Sequence, residues 1–186
     1  LKDSKSNLAI GLTRWATHGG VTDSNAHPHS DCNNRIALVH NGIIENYSEL
    51  KEKLQTKGYK FISETDTEVI PHLLDSNLLT SKTPLEAFEK TIKSLDGAYA
   101  IAAAFQDDPQ NLYVARLSSP LVIGVGKNEN FIASDPNAIS DKTKKVIYLD
   151  DFEIAVLSSK GYKIRNFKHS VDIERKAELL DNDIQQ

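Results

Sequence analysis

The chain alternates apolar and polar positions in two distinct ways, and the change falls near residue 97. Ile36 to His40 is apolar and β-branched, which predicts a buried strand running into the turn-forming pair Asn41-Gly42. A helix should follow: Asn46 with Glu49 three residues on has the form of a capping box. Tyr47, Leu50 and Leu54 then share one helical face, and Gly58 supplies a left-handed stop. Tyr59 to Ile62 reads as a further strand. Thr65 or Asp66 is placed to cap a helix carrying Val69, Ile70, Leu73 and Leu74, and Thr83-Pro84-Leu85-Glu86 starts another that runs to about Leu95.

From Ala98 onward the period shortens to two. Ala98 to Phe105, Leu112 to Arg116, Leu121 to Val125, Phe131 to Ser134, Lys144 to Leu149, Phe152 to Ser158 and Tyr162 to Phe167 are short strands separated by turn residues. Their connections, such as Lys127-Asn128-Glu129-Asn130 and Ser159-Lys160-Gly161, are too short for crossover helices, so the sheets should be antiparallel. The expected class is therefore α+β, a sandwich of mixed layers. One domain is expected over 1–171, followed by a polar, helical or frayed tail or linker over 172–186.

Composition narrows the function without naming it. The 186 residues are 39% hydrophobic and 26% charged with a net charge of −4, ordinary for a globular domain, and the charges are interspersed. No basic face for nucleic acid or anionic lipid is visible, and no apolar run is long enough to span a bilayer, so neither nucleic acid nor membrane is expected as a partner and the location reads as cytoplasmic. One Cys excludes an internal disulfide and a thiolate zinc cluster. Cys32 sits in the polar run Ser30-Asp31-Cys32-Asn33-Asn34, beside an acid that opposes thiolate formation, and reads as an incidental loop thiol rather than a nucleophile.

Chemistry-bearing residues concentrate in the first third. Thr13-Arg14-Trp15-Ala16-Thr17-His18-Gly19-Gly20, Asn25-Ala26-His27-Pro28-His29 and Val39-His40-Asn41-Gly42 gather a planar cation, the sole Trp, hydroxyls, imidazoles and a side-chain amide around glycines. Such a set suits a small zwitterion and an oxyanion. His27 and His29 with His18 and His40 invite a metal reading, but the segment lacks a clear carboxylate partner, and no metal is expected. Asn41-Gly42 taken alone is a common hairpin turn.

These runs, together with Ile43-Ile44-Glu45-Asn46-Tyr47, Gly58-Tyr59, Ser63-Glu64-Thr65-Asp66-Thr67-Glu68-Val69-Ile70 and Ser119-Pro120-Leu121-Val122-Ile123-Gly124, resemble in order the glutaminase domain of the glutamine–fructose-6-phosphate aminotransferases, a branch of the class-II glutamine amidotransferases. The resemblance spans nearly the whole chain. It implies a four-layer αββα sandwich of the N-terminal-nucleophile hydrolase type, and hydrolysis of glutamine to glutamate and ammonia for glucosamine 6-phosphate synthesis, with no cofactor. It also implies a nucleophile that is the first residue of a mature chain, a Cys whose own amino group serves as base. Residue 1 here is Leu, so the fold is expected to be truncated at its N-terminus, this chain alone is expected to be inactive, and a sugar-phosphate isomerase domain is expected as a separate domain or subunit.

Within that frame Asn41 and Gly42 would supply the oxyanion hole as a side-chain amide and an unobstructed N–H. Arg14 would grip the substrate α-carboxylate with its planar fork, its alternative being a surface salt bridge. Asp66 would answer the α-ammonium, a role compatible with capping a helix. Trp15, Thr17 and His18 would belong to a mobile glutamine loop closing over the site, with Trp15 otherwise a core aromatic. Glu64 and Glu68 have no evident duty. The partners expected are glutamine or glutamate and, to cover an open sheet edge, a second copy of the chain. The alternative function is a non-catalytic glutamine- or glutamate-binding subunit of the same fold.

Overall fold

The computed structural model describes residues 6–15 and 18–180. Among the described residues eleven strands and three α-helices fall in the order β1 (His29–Ser30), β2 (Ile36–Ile44), α1 (Tyr47–Thr56), α2 (Val69–Leu78), α3 (Pro84–Ile92), β3 (Gly97–Phe105), β4 (Asp108–Leu117), β5 (Val122–Val125), β6 (Asn130–Ala133), β7 (Lys145–Tyr148), β8 (Glu153–Ser158), β9 (Gly161–Asn166), β10 (Val171–Ile173) and β11 (Glu178–Leu179). They form a seven-stranded sheet, β1-β2-β3-β4-β8-β9-β10, and a four-stranded sheet, β11-β7-β5-β6. Every ladder between named strands is antiparallel, as the short connections require.

Side-chain alternation along the central strands builds two cores. Leu38 and Ile44 of β2, Ile101 and Ala103 of β3, and Ala115 of β4 pack on one face against Leu54 of α1, Ile70 and Leu74 of α2, and Phe88 and Ile92 of α3. Val39, Ala100, Ala102, Val114 and Ala155 face the other way, onto Leu121, Ile123, Ile147 and Leu149 from β5 and β7 and the residues flanking them. The molecule is thus an α+β sandwich of helices, large sheet and small sheet. The outer face of the small sheet is covered, among the described residues, by one 3-10 turn at Pro136–Ile139, whose Ile139 packs with Val122 and Val146. The αββα arrangement is present in its first three layers, with that turn standing where the fourth is expected.

Local chemistry explains where elements stop. Gly58, at φ +91°, ends α1 as expected: its N–H bonds Gln55 O at 2.9 Å and that of Tyr59 bonds Leu54 O at 3.1 Å, the paired bonds of a Schellman turn. At α3, Thr83 Oγ1 accepts from Glu86 N–H and Glu86 reaches back to Lys82 N–H.

Four expectations are corrected. Asn41-Gly42 is not a turn, because β2 continues through it to Ile44 against β3. Asn46 makes no capping bond; its amide bridges Ser94 O and Asp96 N–H on the segment leading into β3. Tyr59 to Ile62 joins no ladder, since the N–H groups of Ile62 and Ser63 bond the Glu68 carboxylate and that of Tyr59 closes α1 on Leu54 O. The described part of the tail is neither helical nor frayed. Residues 171–173 extend the large sheet, 178–179 extend the small one, and Arg175 between them bonds Tyr148 O, Asp150 and Glu153.

Candidate functional site

Three segments converge at the C-terminal end of β2. The first is residues 10–15 and 18–20: Ile10 and Leu12 pack against the core between the sheets, and Arg14 follows them. The second is β2 itself, where Asn41 shares the between-sheet face of Val39 and is exposed, while His40 faces the helices and is buried. The third is the loop 63–68 ahead of α2.

Hydrogen bonds join the three. Asp66, 4% exposed, accepts the Ile44 N–H at 2.7 Å through Oδ2. The next residue, Thr67, places its hydroxyl between His40 Nδ1 at 3.0 Å and His27 Nε2 at 3.2 Å. Glu64 Oε2 accepts the Gly20 N–H at 3.3 Å and an Asn25 amide N–H at 3.2 Å, while Asn25 also bonds Gly20 O and Glu64 N–H. His18 lies edge-on to Tyr47, the first residue of α1, with ring centroids 5.4 Å apart.

Alternation sets the direction of the main-chain donors of β2. The Glu45 N–H, just past the strand, goes to Asp96 O on the β3 side at 2.8 Å, and the Ile44 N–H goes the opposite way to Asp66. Gly42 belongs to the even series with Ile44, at a stretch where β1, paired only with Ala37 and Leu38, has ended. Its φ is +134°, and a Cβ there would lie 2.0 Å from Ala98 O, so only glycine fits.

The expected site residues are placed as follows. Among the described residues Arg14 forms no salt bridge; its terminal nitrogens bond the carbonyls of His18, Gly19 and Gly20 and brace the loop. Trp15 is 90% exposed, which removes the core reading. Thr17 lies outside the described residues. Asp66 is at the loop's inner end but caps no helix: the residue before α2 is Glu68, with no side-chain cap. Cys32 is exposed, and its sulfur meets Lys60 O and His72 Nδ1 at 3.7 and 3.8 Å, neither of which belongs to the expected site.

Burial disfavours the charged form of His27, His29 and His40. Burial, reinforced by His29, His40 and Arg14, pushes His27 down to about 3. Burial likewise takes His40 to about 4 and lowers His29. Burial alone would raise Glu68, yet the neighbouring His72 Nε2 at 3.5 Å and hydrogen bonds from Ser63 and the main chain at 62 and 63 outweigh it and bring the carboxyl to about 2. Glu68 thereby anchors a buried chain through Ser63 and Thr65 to His29. Among the described residues no group of three or more His, Cys, Asp or Glu side chains is arranged to hold a metal ion. A concavity elsewhere, along β8 and β9 beside Leu85 of α3, contains none of the expected site residues.

The sequence matches the model of a glutamine amidotransferase domain over residues 14–141, which takes in β2, the loop 63–68 and the first segment from Arg14 onward. The chain belongs to the glutamine amidotransferase domain family. This amidotransferase domain is 48% identical over 173 residues to the glutamine–fructose-6-phosphate aminotransferase (isomerizing) of Thermococcus kodakarensis, covering 93% of this chain and 29% of that protein. It is 53% identical over 167 residues to the same-named protein of Aquifex aeolicus, covering 90% and 28%. The domain therefore spans under a third of the length of these relatives. Among solved structures, the glutamine phosphoribosylpyrophosphate amidotransferase of B. subtilis, complexed with ADP and GMP, superposes with a TM-score of 0.69 at 27% identity, over 84% of this chain and 34% of that one. A class-II glutamine aminotransferase domain protein from Silicibacter pomeroyi shares the fold, with a TM-score of 0.54 at 18% identity over 77% and 71% of the two chains. Among the described residues no helix is long and apolar enough to cross a membrane.

Sequence reasoning missed Asn25, Glu64 and Glu68 as organisers of this region. Their partners lie 39 residues away for the Asn25–Glu64 pair, and the only available signal was that polar residues crowd around Asp66 without a helix-face pattern.

Proposed function

We propose that this domain binds glutamine at the end of β2 and serves its hydrolysis to glutamate and ammonia. Arg14 meets the α-carboxylate, exchanging loop carbonyls for substrate oxygens, and Asp66 meets the α-ammonium with the oxygen not given to Ile44. Trp15, Thr17 and His18 ride on the loop that covers the bound amino acid. The Asn41 side-chain amide and the Gly42 N–H receive the oxyanion as the carboxamide becomes tetrahedral, and fixed donors there stabilise the charge without reorganising. The nucleophile in this reading is the N-terminal Cys of a mature chain. Cys32, the sole Cys among these 186 residues, does not take that role. The ammonia would be used by a sugar-phosphate isomerase domain or subunit to convert fructose 6-phosphate to glucosamine 6-phosphate, the reading favoured by the names of the longer relatives.

The observation that carries the proposal is the Asp66–Ile44 bond, because it puts a carboxylate on the edge of β2 to which the Gly42 N–H belongs. Calorimetry of this chain with L-glutamine and L-glutamate, with ammonia followed in parallel, tests it. Heat of binding with both ligands and no ammonia is expected. Asp66→Asn keeps an acceptor for Ile44 but loses the charge, and should weaken both ligands by roughly tenfold or more. No heat at millimolar ligand would refute the pocket, and ammonia release abolished by Cys32→Ala would refute the nucleophile assignment.

A further inference from the structure

We infer that Glu64 and Asn25 are positioning residues that hold the Arg14–Gly20 loop in its carboxylate-receiving place. The inference rests on the glutamine reading of the site, and it concerns the neighbours of the loop rather than the groups that touch substrate.

Four hydrogen bonds form a closed clamp. Asn25 gives its amide N–H groups to Gly20 O at 3.0 Å and Glu64 Oε2 at 3.2 Å, and takes the Glu64 N–H on Oδ1 at 2.9 Å, while the Gly20 N–H bonds Glu64 Oε2 at 3.3 Å. Both main-chain groups of Gly20 are thereby fixed to residues outside the loop. Asn25 is 1% exposed and anchors the joint from inside, while Gly20 and Glu64 form its solvent-facing side. Gly19 is pressed against the same joint at φ +76°, where a Cβ would sit 2.7 Å from Asn25 Nδ2 and 2.8 Å from Glu64 Cβ. The side chain Arg14 braces itself on the carbonyls of residues 18–20, which the clamp holds in turn. Because Glu64 stands two residues from Asp66, one short segment locates both ends of a zwitterion: Asp66 directly for the ammonium, and Glu64 through Gly20 and Arg14 for the carboxylate.

The chain's sole Trp is Trp15, on the clamped loop, so its time-resolved fluorescence anisotropy reads loop motion with or without ligand. In Glu64→Ala the fast component of the Trp15 decay should grow and glutamate affinity should fall about tenfold, with the thermal midpoint shifting by only a few degrees. Glu64→Gln retains one oxygen able to accept both N–H groups, and should restore the parent's decay and bring affinity to within about threefold. Asn25→Ser provides a second route, predicted to behave as Glu64→Ala. Unchanged anisotropy and affinity in Glu64→Ala and Asn25→Ser would overturn the inference, as would failure of Glu64→Gln to restore them. If the parent binds no glutamate, the glutamine reading fails by itself, and the ligand-free anisotropy of the variants still decides whether the clamp holds the loop.

Discussion

Gly42 shows how much one residue can decide. Its positive φ and the close Ala98 carbonyl leave no room for a side chain, and both conditions arise inside a paired strand rather than at a turn. Gly42→Ala should cost about 2–4 kcal/mol of stability, from backbone strain plus overpacking, measured as a lowered urea midpoint at unchanged m-value. The pair Asn41-Gly42 is conspicuous in the sequence, yet its conformation is not, because a local Asn-Gly preference for turns is overridden by pairing with β3. Asp66 carries a similar lesson. A helix-start Asp is ordinarily read as a cap, whereas here its oxygen goes to Ile44, 22 residues back in the chain.

At the scale of elements, those with complete local chemistry were legible and those dependent on distant partners were not. The α3 start is written out in Thr83-Pro84-Leu85-Glu86, and the hydrogen bonds match it. Thr83→Ala should lower stability by about 1 kcal/mol through loss of the cap, visible in thermal unfolding with ligand affinity unchanged. Residues 59–62 have strand composition but no strand, because Glu68 satisfies the main-chain donors that a neighbouring strand would otherwise take. Residues 171–173 and 178–179 carry only Val171, Ile173 and Leu179 as apolar positions within a charged stretch, too few to announce a strand, and become edge strands once β9 and β7 offer open ladders. Periodicity reports which face a residue shows; it does not report which carboxylate will meet a given N–H.

For the whole molecule, a buried set of neutral imidazoles and one ionised carboxylate links stability to pH. His27 and His40 bind a proton less readily folded, at about 3 and 4, than a free imidazole at 6.5, so the unfolded chain takes up more protons as pH falls below 6.5. Stability should therefore decline through that window toward pH 3. Glu68, held near 2 against 4.5, stabilises the fold above pH 4.5, and that contribution is lost as pH falls from 4.5 toward 2. Urea midpoints should thus drop between pH 7 and 5 and more steeply below 4.5, with His27→Gln flattening the upper part of the curve. A pH-independent midpoint from 7 to 4 would contradict this electrostatic picture.

The loop that carries Arg14, the strand that carries Gly42 and the segment that carries Asp66 meet at the end of β2, and an amide chemical-shift titration of the labelled chain with L-glutamate tests that convergence most directly. The shifts should concentrate in residues 14–20, 41–44 and 64–67, saturate together, and be absent with a ligand lacking the α-ammonium. Saturable shifts gathered instead around β8 and β9 beside α3, or none at millimolar glutamate, would contradict a glutamine site built from these three segments.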